Sequence, residues 1–339
     1  MKVFELTRAL VDIESITGNE KEHGLYLLRH LVSLCGRWGG RAERIDVEAD
    51  RFNVFACWGD SPLVTLSTHL DTVPPFFPSR EDELHIWGRG ACDVKGIIAA
   101  MLCAAEALLE QGTRNFGVLF VVGEERNSAG AYHASRNPRG SRYLINGEPT
   151  ENKLALGSKG ALRYELLASG RMAHSAYPEL GESAIEKLLD ALQRMRSVRM
   201  PVDPMLGPGT LNVGTIAWGR APNVIADDAR AEVMIRLVSD PDPVRRSILQ
   251  ALDGLVEARE LLCVPPVRLG SLDGFETTVV AYTTDIPAFG GAWGEPYLIG
   301  PGSIHVAHTS EERIPKRELV EAVGIYQRMV KRLIACSYE

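Results

Sequence analysis

The chain has no paired cysteine spacing. Its six cysteines stand at positions 35, 57, 92, 103, 263 and 336 with no Cys-x-x-Cys among them, so neither a zinc ribbon nor a thioredoxin-type motif is indicated. Scattered thiols fit a reducing compartment. No run of about 18 apolar residues occurs, so no membrane span is expected. The stretch from Met1 to Ile16 is broken by Lys2, Glu5, Arg8, Asp12 and Glu14 and reads as no signal peptide. A cytoplasmic location follows as the expectation. Basic excess is absent too: 37 Lys and Arg against 44 Asp and Glu leave a net charge of −7. That balance suits solubility and gives no support for a nucleic-acid partner. No internal repeat and no low-complexity tract interrupts the chain.

What is present is enough apolar sequence for two domains. The 339 residues are 45% hydrophobic and 24% charged, a globular composition too long for one ordinary core. Residues 2–14 read as a helix, with Val3, Leu6, Leu10 and Ile13 near a 3.6-residue period. A second helix is expected to end at Gly36. Strands are expected at Arg51–Trp58, Leu63–Thr68, Phe116–Val122 and Tyr143–Asn146. Gly96–Glu110, rich in Ala, Leu, Ile and Met, reads as a buried helix. Strands alternating with helices predict an α/β sandwich. The texture changes near Gly157. Ala161–Ser169, Thr210–Trp218, Ala229–Val238 and Leu261–Leu269 read as strands, and Ser183–Val198 and Pro243–Glu257 as helices. That β-α-β-β-α-β order is the order of a ferredoxin-like insert. A closing helix runs from Lys316 to about Ala335. The expected domains are 1–158 and 268–339 for the first, in two parts, with 159–267 inserted.

Five segments carry acidic or histidine residues beside loop signals. They are Thr68-His69-Leu70-Asp71-Thr72-Val73-Pro74, Gly88-Arg89-Gly90-Ala91-Cys92-Asp93-Val94-Lys95-Gly96, Gly123-Glu124-Glu125, Asn146-Gly147-Glu148-Pro149-Thr150 and Gly300-Pro301-Gly302-Ser303-Ile304-His305-Val306-Ala307-His308. Three follow predicted strands, so their side chains can converge at one sheet edge, where open α/β sheets place their chemistry. In an extended strand His69 and Asp71 point to the same side. Two histidines and three carboxylates suit a pair of borderline metals such as zinc, with one carboxylate shared. Singly, each segment is no more than a polar loop. The Gly-x-Gly turn before the buried helix is a poor phosphate site, because Asp93 would repel the anion.

Taken in order, HLDTVP, GRGACDVKG, GEE, GEPT and GPGSIHVAH resemble the co-catalytic zinc aminoacylase and carboxypeptidase family over essentially the whole chain. That family includes acetylornithine deacetylase, succinyl-diaminopimelate desuccinylase, glutamate carboxypeptidases and peptidase T. The resemblance implies a catalytic domain with a mixed central sheet flanked by helices, and an inserted ferredoxin-like α+β domain that serves as lid and dimerisation surface. It implies two zinc ions, with cobalt as a substitute. His69 and Glu148 would bind one, Glu125 and His308 the other, and Asp93 would bridge them. Asp71 would hydrogen-bond His69 and fix its tautomer. Glu124 would be the general base. His174 would reach the other subunit's site of a homodimer, and Asn223 and Arg236 would bind the substrate carboxylate. His305 lies three residues before His308, but the Ala307-His308-Thr309 context favours His308.

The Gly300–Ile304 segment, with Pro315–Leu319, Gly147–Thr150 and Thr284-Asp285-Ile286-Pro287, is most similar to acetylornithine deacetylase. The expected substrate is therefore a small N-acyl amino acid. Alternatives are a hydrolase releasing lysine or ornithine from an amino-group carrier protein, a succinyl-diaminopimelate desuccinylase, a dipeptidase or carboxypeptidase, and a non-catalytic amino-acid-binding relative.

Overall fold

The computed structural model describes residues 3–337. Lys2, the expected first residue of the N-terminal helix, and the outermost chain ends of the expected domains lie outside them. The chain forms two compact units. One takes the chain through Leu156 with Leu269–Thr278 and the part from Thr284 onward; the other takes Gly157–Arg268 with Val279–Thr283.

The first unit is built on a mixed sheet. The order of its first six strands is Arg41–Glu48, Arg51–Trp58, Phe116–Val121, Val64–His69, Tyr143–Asn146, Glu295–Leu298. The first two pairings are antiparallel. Val64–His69 runs parallel to both Phe116–Val121 and Tyr143–Asn146, and Glu295–Leu298 runs parallel to Tyr143–Asn146. Alternation along Phe116–Val121 explains its continuous apolar run. Phe116, Val118 and Phe120 face a core shared with the helices Lys21–Trp38, Gly96–Glu110 and Lys316–Cys336. Leu119 and Val121 face a smaller core with Ala131, Ala134, Phe289 and Trp293. Both faces are covered, so every position of the strand is apolar. Helix Gly96–Glu110 has the bounds its composition predicts, and it is buried nearly all round. Among the described residues no helix is long and apolar enough to cross a membrane.

Several boundaries differ from expectation. The second helix runs through Gly36 to Trp38, because the left-handed stop is Gly39 (φ 73°), whose N–H closes on the Cys35 carbonyl. The N-terminal helix ends at Val11 rather than residue 14. Edge strand Arg41–Glu48 has a half-exposed pattern, with apolar alternation confined to Ile45 and Val47, and is absent from the expected strands.

The second unit has the sheet order Thr210–Ala217, Asp228–Leu237, Gly160–Ser169, Glu257–Val264, all antiparallel. Helices Ala184–Ser197 and Pro241–Leu252 pack on it around Leu162, Leu188, Val233 and Ile248. This is the ferredoxin-like arrangement. Ser183 caps the first helix by accepting from the Glu186 N–H. The second helix starts at Pro241, capped by Asp240, and stops at Leu252. The strand expected at Leu261–Leu269 begins at Glu257 instead; Gly254, at φ 72°, makes the turn between them.

Candidate metal centre

The parallel strands deliver the site. His69 is the last residue of Val64–His69, Glu124 and Glu125 follow Phe116–Val121 by one short turn, and Glu148 stands two residues past Tyr143–Asn146. All lie at the C-terminal ends of neighbouring parallel strands, where the backbone leaves the sheet. Asp93 comes from the wide turn Ala91–Lys95 that opens the buried helix. His308 follows Glu295–Leu298 at φ 63°.

These residues fall into two groups sharing one member. His69, Asp93 and Glu148 offer donor atoms within 4.8 Å of one another, and so do Asp93, Glu125 and His308. The two Asp93 oxygens divide between them. Oδ1 lies 3.1 Å from His69 Nε2, and Oδ2 lies 3.2 Å from His308 Nε2. Glu148 Oε1 is 3.9 Å from His69 Nε2, and Glu125 Oε1 is 2.9 Å from His308 Nε2. His308, not His305, supplies the imidazole of the second group.

The sequence model of peptidase family M20/M25/M40 matches residues 65–332. The chain belongs to this peptidase family. It is a metal-dependent hydrolase acting on amides. A peptidase M20 domain-containing protein of Schizosaccharomyces pombe is 38% identical over 97% of this chain and 84% of its own length. A probable carboxypeptidase of Aspergillus flavus is 37% identical over 96% and 86%. In three dimensions, aminopeptidase PepT of Bacillus cereus superposes with a TM-score of 0.80 at 18% identity, covering 98% of each chain. That likeness bears on the fold alone.

In this M20 family chain the donor set fits divalent metals. Glu148 Oε1 is buried with no hydrogen-bond partner, a costly state that a cation at that point relieves. Burial pushes the Glu124 carboxyl well up, with charge repulsion from Glu148, Asp285 and Glu125 adding to it. Burial raises Glu148 likewise, with Asp93, Asp285 and Glu125 adding repulsion, and burial raises Glu125. Hydrogen bonds to Asp93 and Glu125 raise His308 to about 10. Burial alone would lower His69, but Asp71 and Asp93 outweigh it and hold it well up. Carboxylates crowded around two imidazoles form a donor set whose negative charge bound cations would offset.

Asp71 does more than expected. His69 Nδ1 hydrogen-bonds the Asp71 carbonyl oxygen at 3.0 Å, while the carboxylate stands at 3.5 Å. That carboxylate instead accepts three backbone N–H groups, from Gly123, Glu124 and Glu125, at 3.0, 3.1 and 3.2 Å. Thr17 Oγ1 donates to it at 2.7 Å. The expected hydrogen bond to His69 runs through the Asp71 carbonyl oxygen, and the Asp71 side chain in addition fixes the turn carrying Glu124 and Glu125. Two partners went unread in the sequence. Thr17 lies in a loop that reads only as a chain break. His23, fully buried, hydrogen-bonds the Leu70 carbonyl oxygen at 3.0 Å, and burial lowers its pKa to about 3. It therefore buttresses the segment between His69 and Asp71 as a neutral donor.

The remaining expected residues lie in the second unit. His174 ends the short strand Ala173–His174, exposed, with its Nδ1 accepting from the Ala176 N–H at 3.2 Å. That strand pairs with Val224–Ile225, so Asn223 comes next to it, and the Asn223 carbonyl oxygen accepts from Ser175 N–H. Arg236 sits half-buried on Asp228–Leu237, opposite Ala161 and Thr210. Burial lowers its pKa.

Proposed function

We propose that this protein is a two-zinc exo-hydrolase cleaving the amide bond next to a free carboxylate. The products are an amino acid and the acyl or peptidyl remainder. The observation that carries the reading is the pair of donor groups sharing Asp93, with Glu124 on the same turn as Glu125. His69 and Glu148 would hold one ion, Glu125 and His308 the other, and Asp93 both. Bound there, the metals supply Lewis acidity and a water that loses its proton near neutral pH. Glu124 takes that proton on its carboxylate as the water attacks the carbonyl carbon, then returns it to the leaving nitrogen. Asp71 keeps Glu124 and Glu125 in register by holding their backbone. We assign His174, acting across a homodimer, to hydrogen bonding of the developing oxyanion. Arg236 and Asn223 are assigned to the substrate carboxylate, which a guanidinium grips bidentately. One outer strand of the second unit's sheet supports dimerisation there: Thr210–Ala217 is an edge, and its Ile216 and the following Trp218 are exposed.

The terminal residue of a peptide and an N-acyl amino acid present the same unit, an amide followed by one carbon and a carboxylate. Relatives named probable carboxypeptidase support the peptide substrate. The Gly300–Ile304 and Thr284–Pro287 segments favour a second reading, an acetylornithine deacetylase-like enzyme with a small acyl group. A hydrolysis panel on zinc-loaded protein tests both. It contains dipeptides, acetylornithine, acetylcitrulline, succinyl-diaminopimelate and acylated lysines, each as free acid and as carboxamide. Free acids are expected to turn over, with KM raised for them in Arg236→Met. Equal turnover of the carboxamides, or no turnover of any compound, sinks the reading.

A further inference from the structure

The Ala91–Lys95 turn carries the shared aspartate, and one buried side chain from a distant segment holds it. Glu312 is 1% exposed. Its Oε1 accepts the backbone N–H groups of Gly90, Cys92 and Asp93 at 2.9, 3.3 and 3.1 Å. Its Oε2 accepts from Arg89 Nη1 at 2.5 Å. Arg89, equally buried, is fixed in turn: its Nε donates to the Pro75 carbonyl oxygen at 3.1 Å and its guanidinium lies 4.9 Å over the Phe77 ring. The backbone joins in, with Gly88 N–H donating to the Glu312 carbonyl oxygen at 3.2 Å.

We propose that Glu312 is a positioning residue for the metal centre, setting where Asp93 presents its two oxygens, and that Arg89 holds the Glu312 side chain in place for that task. Three N–H groups converging on one oxygen make a concave anion site in the backbone, and a carboxylate fills it more strongly than a neutral oxygen. With those N–H groups fixed, the Asp93 Cα is fixed. Its side chain then divides its oxygens between His69 and His308, at 3.1 and 3.2 Å. Glu312 also stands four residues beyond His308, so it ties that ligand's segment to the Asp93 turn. The arrangement repeats what Asp71 does on the other side of the centre, where one carboxylate accepts three N–H groups of the turn bearing Glu124 and Glu125. Two turns of the centre are thus each held by a buried carboxylate that belongs to neither donor group.

The inference rests on Asp93 being a shared metal ligand. Glu312→Gln keeps size and one acceptor oxygen but removes the charge, and its amide nitrogen opposes Arg89. Zinc affinity is measured by competition with a chromogenic chelator, and ligand geometry by the visible spectrum of the cobalt-loaded protein. Zinc is expected to bind about 10- to 100-fold more weakly, with an altered cobalt spectrum and a fall in kcat at little-changed KM. The double variant Arg89→Gln with Glu312→Gln restores a neutral, matched pair. If its thermal stability recovers while its zinc affinity stays weak, the carboxylate itself sets Asp93. If affinity and spectrum return with stability, or were never changed in Glu312→Gln, the role is packing and the proposal falls. Where the single variant does not fold, the double variant decides; failure of both makes the pair a folding element and also overturns it. Asp93→Asn is the control for the underlying reading: two zinc ions at native affinity in that variant would refute the ligand assignment, whatever Glu312 does.

Discussion

At the scale of single residues, neighbours in sequence do different work. Glu124 and Glu125 share a turn and a backbone anchor, yet only Glu125 lies against His308. Glu124→Gln should therefore keep both metals and lose turnover by about 10²- to 10⁴-fold, the usual worth of a general base. Steady-state kinetics beside metal analysis of the same sample checks this; near-normal turnover would move the base elsewhere. The same division applies to His69 and Asp71. One meets the donor group, and the other spends its carboxylate on the neighbouring turn. A two-residue spacing announces that both are near the site, but not which atoms each will touch. That depends on where the Gly123–Glu125 backbone comes to rest.

At the scale of elements, the strand ends and the buried helix hold the ligands jointly. Gly147 lies between strand Tyr143–Asn146 and Glu148. Its N–H donates to the Ser67 carbonyl oxygen, and its own carbonyl oxygen accepts from Thr68 Oγ1. A Cβ there would come within 2.5 Å of both Ile97 Cγ2 and Met101 Cε on helix Gly96–Glu110. Gly147→Ala should cost about 1–3 kcal/mol through overpacking and weaken zinc binding by displacing Glu148. Thermal unfolding and a zinc titration read the two effects. Native values of both would mean that the helix yields without cost and that Glu148 is positioned independently. The helix itself was legible because an Ala- and Leu-rich segment buried all round has no polar face to confuse its limits. Edge strand Arg41–Glu48 was not, because its apolar alternation is confined to Ile45 and Val47 and none of its side chains is fully buried.

At the scale of the whole molecule, the centre gathers carboxylates from four separate stretches of the first unit, and burial raises Glu124, Glu125 and Glu148. Metal bound only by the folded state stabilises it by mass action, about 4 kcal/mol when free metal is 1,000 times its dissociation constant. Chelation should lower the melting temperature of the protein, and added zinc should restore it. A melting curve indifferent to both treatments would argue against a tight metal centre. The second unit, with its own core around Leu162 and Ile248, should respond less if it unfolds separately.

Local pattern alone determined much here. The central strands, the buried helix and most elements of the insert follow from hydrophobic period and turn residues, short-range properties written within a dozen residues. That the five segments meet at one centre was implied by their resemblance to a known family. The tertiary structure decided what no short window contains. It brings the Glu312 carboxylate onto N–H groups more than 200 positions earlier, sets His23 under Leu70 and splits the Asp93 oxygens between two imidazoles. Such contacts join distant parts of the chain, and where one partner is a backbone N–H or carbonyl, as at Glu312 and His23, residue type gives that partner no signature.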